Sequence, residues 1–243
     1  MRDIPAGSFL MGSNENLEPI PLASSNDVFY QTPQFTATTP AFQMATYPLT
    51  VAEYACAVQA GVISIYRLQD WTTSLEQQLD HPARMNWALA TVYAAWLSKL
   101  TSQDWYVPSE VEWEKAARGT DGRRYPWGND WNPTRAHVGK ERRAGTAPIG
   151  SYPSGASPYG CQDMVGNLWE ATRSLLANYP YDAQDGREQH LDEWLSVDQE
   201  RVVRGGGWRA GAQSGQTTTR AVDDDDYNPL AVGVRLARSI PAD

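Results

Sequence analysis

The sequence predicts an α+β chain with few helices, a small amount of strand and extensive irregular loops. Three observations carry this. Two helix starts in the first half bear reciprocal capping signals, "TVAE" at Thr50 and "SEVE" at Ser109. Short strand-like segments stand at both ends of the chain, as "SFLMGS" and "VGVRLARS". Between Gly119 and Gly207, turn-forming Gly, Pro, Asn and Asp recur every few residues, which leaves no room for ordered helices.

Taken in order, "SFLMGS" and "FQMATYPLT" are the first strand candidates, bounded by Gly and Pro. In "TVAEYACAVQAG" Thr50 is an N-cap, Glu53 closes the capping box and Gly61 is the stop signal. Asn86 caps a second helix, "NWALATVYAAWLSKLT". Leu89, Val92, Tyr93, Trp96, Leu97 and Leu100 recur at helical spacing there and predict a broad buried face. A third helix runs from the Ser109 cap through Glu112 to Gly119. The later strand candidates are "RVVRGG" and "VGVRLARS". The first and last strands are expected to pair, within one domain spanning 1–243.

Composition narrows the function classes. The 243 residues carry 20 Lys and Arg against 29 Asp and Glu, a net charge of −9, which excludes a nucleic-acid partner because phosphate binding needs clustered cations. No apolar run approaches the roughly 18 residues of a membrane span, and "MRDIPAGSFLMGS" lacks a basic and then apolar leader, so the expectation is no membrane partner and a cytoplasmic location. Ten Trp and twelve Tyr predict polar loops pinned by aromatic anchors. Cys56 and Cys161 lie far apart, outside any C-x-x-C spacing, and read as buried free thiols.

The segments "IPAGSFLMGS", "YPLTVAEYACAV", "YVPSEVEWEKAARG", "RRYPWGND", "GTAPIGSYPSGASPYGCQDMVGNLWEAT", "RVVRGGGW" and "VGVRLARS" occur in this order. Together they resemble the formylglycine-generating-enzyme, or sulfatase-modifying-factor, family across nearly the whole chain. The resemblance implies a C-type-lectin-like fold, a small β-sheet with flanking helices and long loops. It also implies a structural calcium ion held by Asp163, the carbonyls of Gly166 and Leu168, and Glu170, a hard-oxygen set suited to calcium. The alternative for Asp163 and Glu170 is to cap turns or pair with an arginine.

The family's catalytic chemistry finds no residues here. Its oxygen-dependent enzymes carry two copper-binding cysteines after the "RGGS" motif, and the matching positions are Ala210 and Gly215, which ligate nothing. Related iron enzymes need clustered histidines, whereas His81, His137 and His190 stand in unrelated contexts. The expectation is a chain without a catalytic site or catalytic cofactor; the alternatives are a formylglycine-generating or related oxidoreductase-type enzyme that uses other residues, and a sensor module of a larger signalling protein.

The polar stretch between "RGGGW" and "VGVRLA" remains to be explained. It replaces family sequence without extra residues, so a disordered insert is disfavoured. Asp223 to Asp226 lack the alternating ligands, glycine and distal glutamate of a calcium loop. The remaining reading is an exposed surface that recognises a macromolecular ligand, expected to be a protein. Its flanks resemble those of the variable proteins of diversity-generating retroelements, in which randomised adenines vary asparagine codons. Lys, Glu, Met and Trp cannot arise from such codons and are absent from Arg209 to Ala231; Gln213 and Gln216 cannot arise either and would be fixed. Within the tract 208–231 the outward candidates are Arg209, Ala210, Gly211, Gln213, Ser214, Thr217, Thr219, Ala221, Asp223, Asp224, Asp226, Tyr227, Asn228 and Leu230. Tyr offers contact area and the small polar residues adaptable hydrogen bonds, as in antibody loops.

Overall fold

The structure, a computed structural model, describes residues 1–14, 31–63, 78–139, 145–188, 200–209, 211–222 and 232–240. Four short strands come first: β1 (Arg2–Ile4), β2 (Gly7–Met11), β3 (Phe35–Thr39) and β4 (Phe42–Met44). Helices α1 (Val51–Gln59) and α2 (Trp87–Thr101) follow, then β5 (Trp105–Tyr106) and α3 (Glu110–Arg118). The rest is strand and turn: β6 (Trp169–Leu175), β7 (Arg201–Arg204), β8 (Arg220–Val222), β9 (Val232–Gly233) and β10 (Ala237–Ser239).

The helix starts form as their sequences require. The Thr50 side chain accepts from the Glu53 amide while the Glu53 carboxylate accepts from the Thr50 amide at 2.8 Å, and Ser109 and Glu112 repeat the exchange. Each box satisfies two amides that the first helical turn leaves unpaired. Asn86 Oδ1 accepts from the Leu89 amide. The buried face of α2 differs from the expectation. Ala90, Tyr93 and Ala94 are buried, whereas Leu89, Val92, Trp96 and Leu97 are half-buried and Leu100 is 65% exposed. Two small alanines allow close approach to the core, and the larger side chains flank that seam.

Three sheets organise the chain. The strand orders are β1-β4-β10-β5, β2-β3 and β8-β7-β6-β9, all antiparallel except for the β6/β9 pair. The first and last strands therefore share a sheet without pairing: β4 lies between them and bonds both. One core cluster joins α1 and α2 to Val107, Val234 and Leu236; another packs Trp113 of α3 against Ile4, Phe42, Met44 and Met164.

Helix α3 is buried along its whole length despite the sequence "EVEWEKAAR". It is solvable because every charge meets a partner. Glu110 receives Arg220 at 2.5 Å and Arg204 at 3.2 Å, Glu114 receives Arg118 at 2.8 Å and also Arg204, and Lys115 donates to the carbonyls of Pro5 and Gly7 and the hydroxyl of Thr39. Burial alone would raise the Glu110 carboxyl; the Arg220 and Arg204 guanidiniums outweigh it and hold the pKa below its ordinary value. Arg204 stands just before the C-terminal tract and Arg220 lies within it, so α3 is the post to which the tract is tied.

Candidate functional site: the C-terminal tract and the cleft beside it

The tract opens with a turn that only glycine can make. Gly205 and Gly206 have φ of +87° and +75°, and a Cβ on Gly206 would lie 2.8 Å from the Ser214 carbonyl oxygen. This close approach folds the chain back on itself, so that the single 3-10 turn Ala212–Gly215 sits over the glycine turn. Arg209 is exposed and its guanidinium lies 4.6 Å over the half-buried ring of Trp208. Gly211 and Ser214 are half-buried.

The next five residues point the other way from the expectation. Thr217, Thr219 and Ala221, expected on the outward surface, are buried, as are Thr218 and Arg220. The Thr217 amide donates to the Arg124 carbonyl at 2.9 Å and its hydroxyl to the Arg123 carbonyl at 3.0 Å. Thr218 donates to Gln31 Oε1 at 2.6 Å, and Arg204 donates to the carbonyls of Thr217 and Thr218. Arg220 grips Glu110, donates to the Ala177 carbonyl and lies 4.2 Å over the Tyr179 ring. Strand β8 then adds to β7, with Ala221 opposite Val203. Thr217–Ala221 is thus a buried pin that splits the tract. β-branched "TTTRAV" is a strand signal, and taking its threonines as surface hydroxyls missed it. Ala210, Asp223, Asp224, Asp226, Tyr227, Asn228, Leu230 and the Gln213 side chain lie outside the described residues.

A cleft of about 310 Å³ opens beside the pin. Gln216 and Thr218 of the tract line one side, with Arg118, Arg124 and Asn129 contributed by α3 and the turn after it, and Asn14, Gln34 and Gly122 complete it. The Arg118 guanidinium is spent on the carbonyls of Leu10, Gly12, Gly122 and Arg123 and on Glu114. Tyr125, Trp127 and Trp131 stack next to the cleft wall with ring centres 5.3 to 5.9 Å apart, and Trp131 closes on Gly215.

Asp163 and Glu170, expected to hold calcium with the carbonyls of Gly166 and Leu168, both have protein partners. Glu170 is buried and both of its oxygens are engaged: Oε1 accepts from Arg235 at 2.7 Å, and Oε2 from Arg235 at 3.0 Å and from Trp113 Nε1 at 2.7 Å. That guanidinium already supplies the positive charge the carboxylate needs. Asp163 Oδ2 accepts from the Gly150 amide at 2.6 Å, and burial pushes its pKa up against that bond. Gly166 and Leu168 are buried between them, the Gly166 amide donating to Gly205. Among the described residues no group of three His, Cys, Asp or Glu is placed to hold a metal.

Reactive groups also lie away from the cleft. Cys161 is buried, and burial pushes its thiol pKa up; Cys56, expected to be buried, is exposed on α1. His81 contacts the Thr146 hydroxyl, and His137 contacts the Gly145 carbonyl and the Tyr152 hydroxyl. His190 lies outside the described residues. At Gly215, where the family resemblance places a catalytic cysteine, a Cβ would come within 2.5 Å of Val165 Cγ1, so any side chain there would require Val165 to shift.

Residues 1–240 match the model of the sulfatase-modifying factor enzyme 1-like domain. The chain belongs to this family. It is 28% identical over 269 aligned residues to hercynine oxygenase of Mycolicibacterium smegmatis, covering 96% of this chain and 60% of that protein. It is 30% identical over 183 residues to the inactive Cα-formylglycine-generating enzyme 2 of Bos taurus, covering 68% of this chain and 52% of that protein. The chain thus spans little more than half the length of these relatives. Treponema denticola variable protein 1 superposes with a TM-score of 0.69 at 18% identity, covering 99% of this chain and 95% of that one, and so shares the fold. The family includes enzymes and proteins named inactive, and membership alone does not choose between them.

Proposed function

We propose that this chain is a non-catalytic ligand-binding member of the family, in which the tract 208–231 and the cleft beside it recognise a macromolecular ligand, a protein, and the tract is diversified by a retroelement. The observation that carries the reading is the wall at Gly215. A position that must bear a thiolate for copper chemistry bears no side chain and is packed against Val165, and the residues lining the adjoining cleft are arginines, amides, a glycine and a threonine. Such a lining donates and accepts hydrogen bonds but offers no general base, acid or thiolate.

The buried pin supports a display role. Thr217–Ala221 holds the middle of the tract to the framework, so that Arg209–Ser214, ahead of the packed Gly215, can change without unseating it. Loops carried on a rigid scaffold are where binding residues concentrate. The fold shared with the Treponema variable protein is compatible with this use, and the Bos taurus relative's name records that the family contains proteins without activity.

The relatives named as oxygenases keep an enzymatic role in view, and oxygen uptake tests it. The purified chain loaded with copper or with ferrous iron should consume no more oxygen than the free metal does when a cysteine-containing peptide is supplied. Metal-dependent turnover above that background would overturn the non-catalytic reading.

A further inference from the structure

Arg124 differs from most arginines of this molecule. Arg118, Arg204, Arg220 and Arg235 are buried and committed to carboxylates and carbonyls. Arg124 is exposed, and its guanidinium makes no hydrogen bond or ion pair with any described residue. Its main chain is nevertheless fixed: the amide donates to Asn129 Oδ1 at 3.0 Å, and the carbonyl accepts from the Thr217 amide at 2.9 Å and the Thr217 hydroxyl at 3.2 Å. The stem is held while the charged end is left available. Neighbouring Asp121 is occupied by Arg123 at 2.7 Å. Among the described residues no carboxylate lines the cleft, although the chain as a whole is strongly acidic.

We propose that the cleft is a carboxylate-binding subsite, in which Arg124 forms the charged fork and the amides of Asn129, Gln216, Gln34 and Asn14 serve the remaining lone pairs. A guanidinium presents paired N–H groups in a plane that matches a carboxylate. Among the described residues, one cation without a hydrogen-bond partner surrounded by neutral amides suits a monoanion; a dianionic phosphate would face the field of an acidic protein with a single counter-charge. The occupant is the C-terminal carboxylate of a peptide or protein, or an acidic side chain, and the cleft's modest volume admits one or two residues. This deepens the binding reading above. Because five of its seven described polar lining residues lie outside the tract, Thr218 belongs to the buried pin and Gln216 cannot arise from a varied asparagine codon, the subsite would stay constant while the surface beside it changes.

The test is titration of the full chain, followed by NMR shifts and by calorimetry, with acetyl-trialanine, its C-terminal amide, acetyl-glutamate amide and inorganic phosphate, at concentrations that detect millimolar affinity. The free-acid peptide should bind, and its amide about tenfold more weakly or worse, as expected when a charge-assisted pair is removed. Acetyl-glutamate amide tells a side-chain carboxylate from a chain terminus: binding by either supports the subsite and names its source. Arg124→Gln should lose about the same tenfold, and Arg124→Lys should retain part of the binding. Since the Arg124 side chain makes no hydrogen bond or ion pair with a described residue, unchanged thermal unfolding of both variants is expected. Failure of both carboxylates to bind, equal binding of acid and amide, insensitivity to Arg124→Gln, or tighter binding of phosphate would each overturn the proposal. None of these outcomes bears on oxygen uptake or on variation of the tract, so the subsite can fail while the non-catalytic reading stands.

Discussion

Gly215 is one of the two positions at which the family resemblance expects a copper-binding cysteine. The position is buried, and its α-carbon faces Val165 so closely that a Cβ would overlap Cγ1 at 2.5 Å. Gly215→Cys should therefore destabilise the chain by about 1–3 kcal/mol, the usual cost of overpacking, and should not restore copper-dependent oxygen uptake. Denaturant unfolding measures the first and an oxygen electrode the second. A stable, active Gly215→Cys protein would mean that Val165 yields freely and that the site is only one substitution from catalysis. The sequence alone showed that no thiol stands here; it could not show that the space for one had gone, because Val165 is 50 residues away in the chain.

At the scale of elements, α3 and the tract are one electrostatic unit. Glu110 has its pKa held below 4.5 by Arg220 and Arg204, so its ion pairs stabilise the fold fully above the unfolded-state value and lose that contribution as pH falls through the lower folded-state value. Acid should accordingly loosen the β7/β8 pairing, and Glu110→Gln should cost about 3–5 kcal/mol at neutral pH, because two buried guanidiniums lose a charged partner. The same substitution should flatten the decline in stability below pH 4.5. Urea unfolding across a pH series checks both, and an unchanged acid slope in Glu110→Gln would remove Glu110 as the cause.

The caps of α1, α2 and α3 were legible in the sequence because a cap is written in four consecutive residues. The full burial of α3 was not: its charges are answered by Arg204, Arg220, Pro5 and Gly7, far away in sequence, and a helix this rich in Glu, Lys and Arg reads as a surface element. Strand β6 was missed for a related reason. "WEATRSL" has no apolar alternation, since Thr172 and Ser174 are buried by donating to the Val202 carbonyl and to Glu188, and Glu170 by Arg235. Polar residues that are buried in pairs leave no periodic signal.

For the whole molecule, the frame is the family's lectin-like scaffold, and the proposed non-catalytic role rests on the small residues at Ala210 and Gly215. That frame carries a pinned tract and, among the described residues, a cleft with one cation that has no hydrogen-bond partner, and its fold is shared with a variable protein of Treponema denticola. The family resemblance carried most of the architecture and placed the tract; the division of that tract into a buried pin and two flanking segments needed the structure. It follows that variation, if it occurs, should avoid Thr217–Ala221 and fall on 209–212, Ser214 and 223–231.

The most direct measurement is deep sequencing of the 3′ end of the gene across a population of cells. The binding reading predicts substitutions crowded into codons 209–212, 214 and 223–231, aligned with adenines of a nearby template repeat, with the pin, Gln213 and Gln216 unchanged. An invariant tract, or substitutions spread evenly through the pin and the framework, would contradict it.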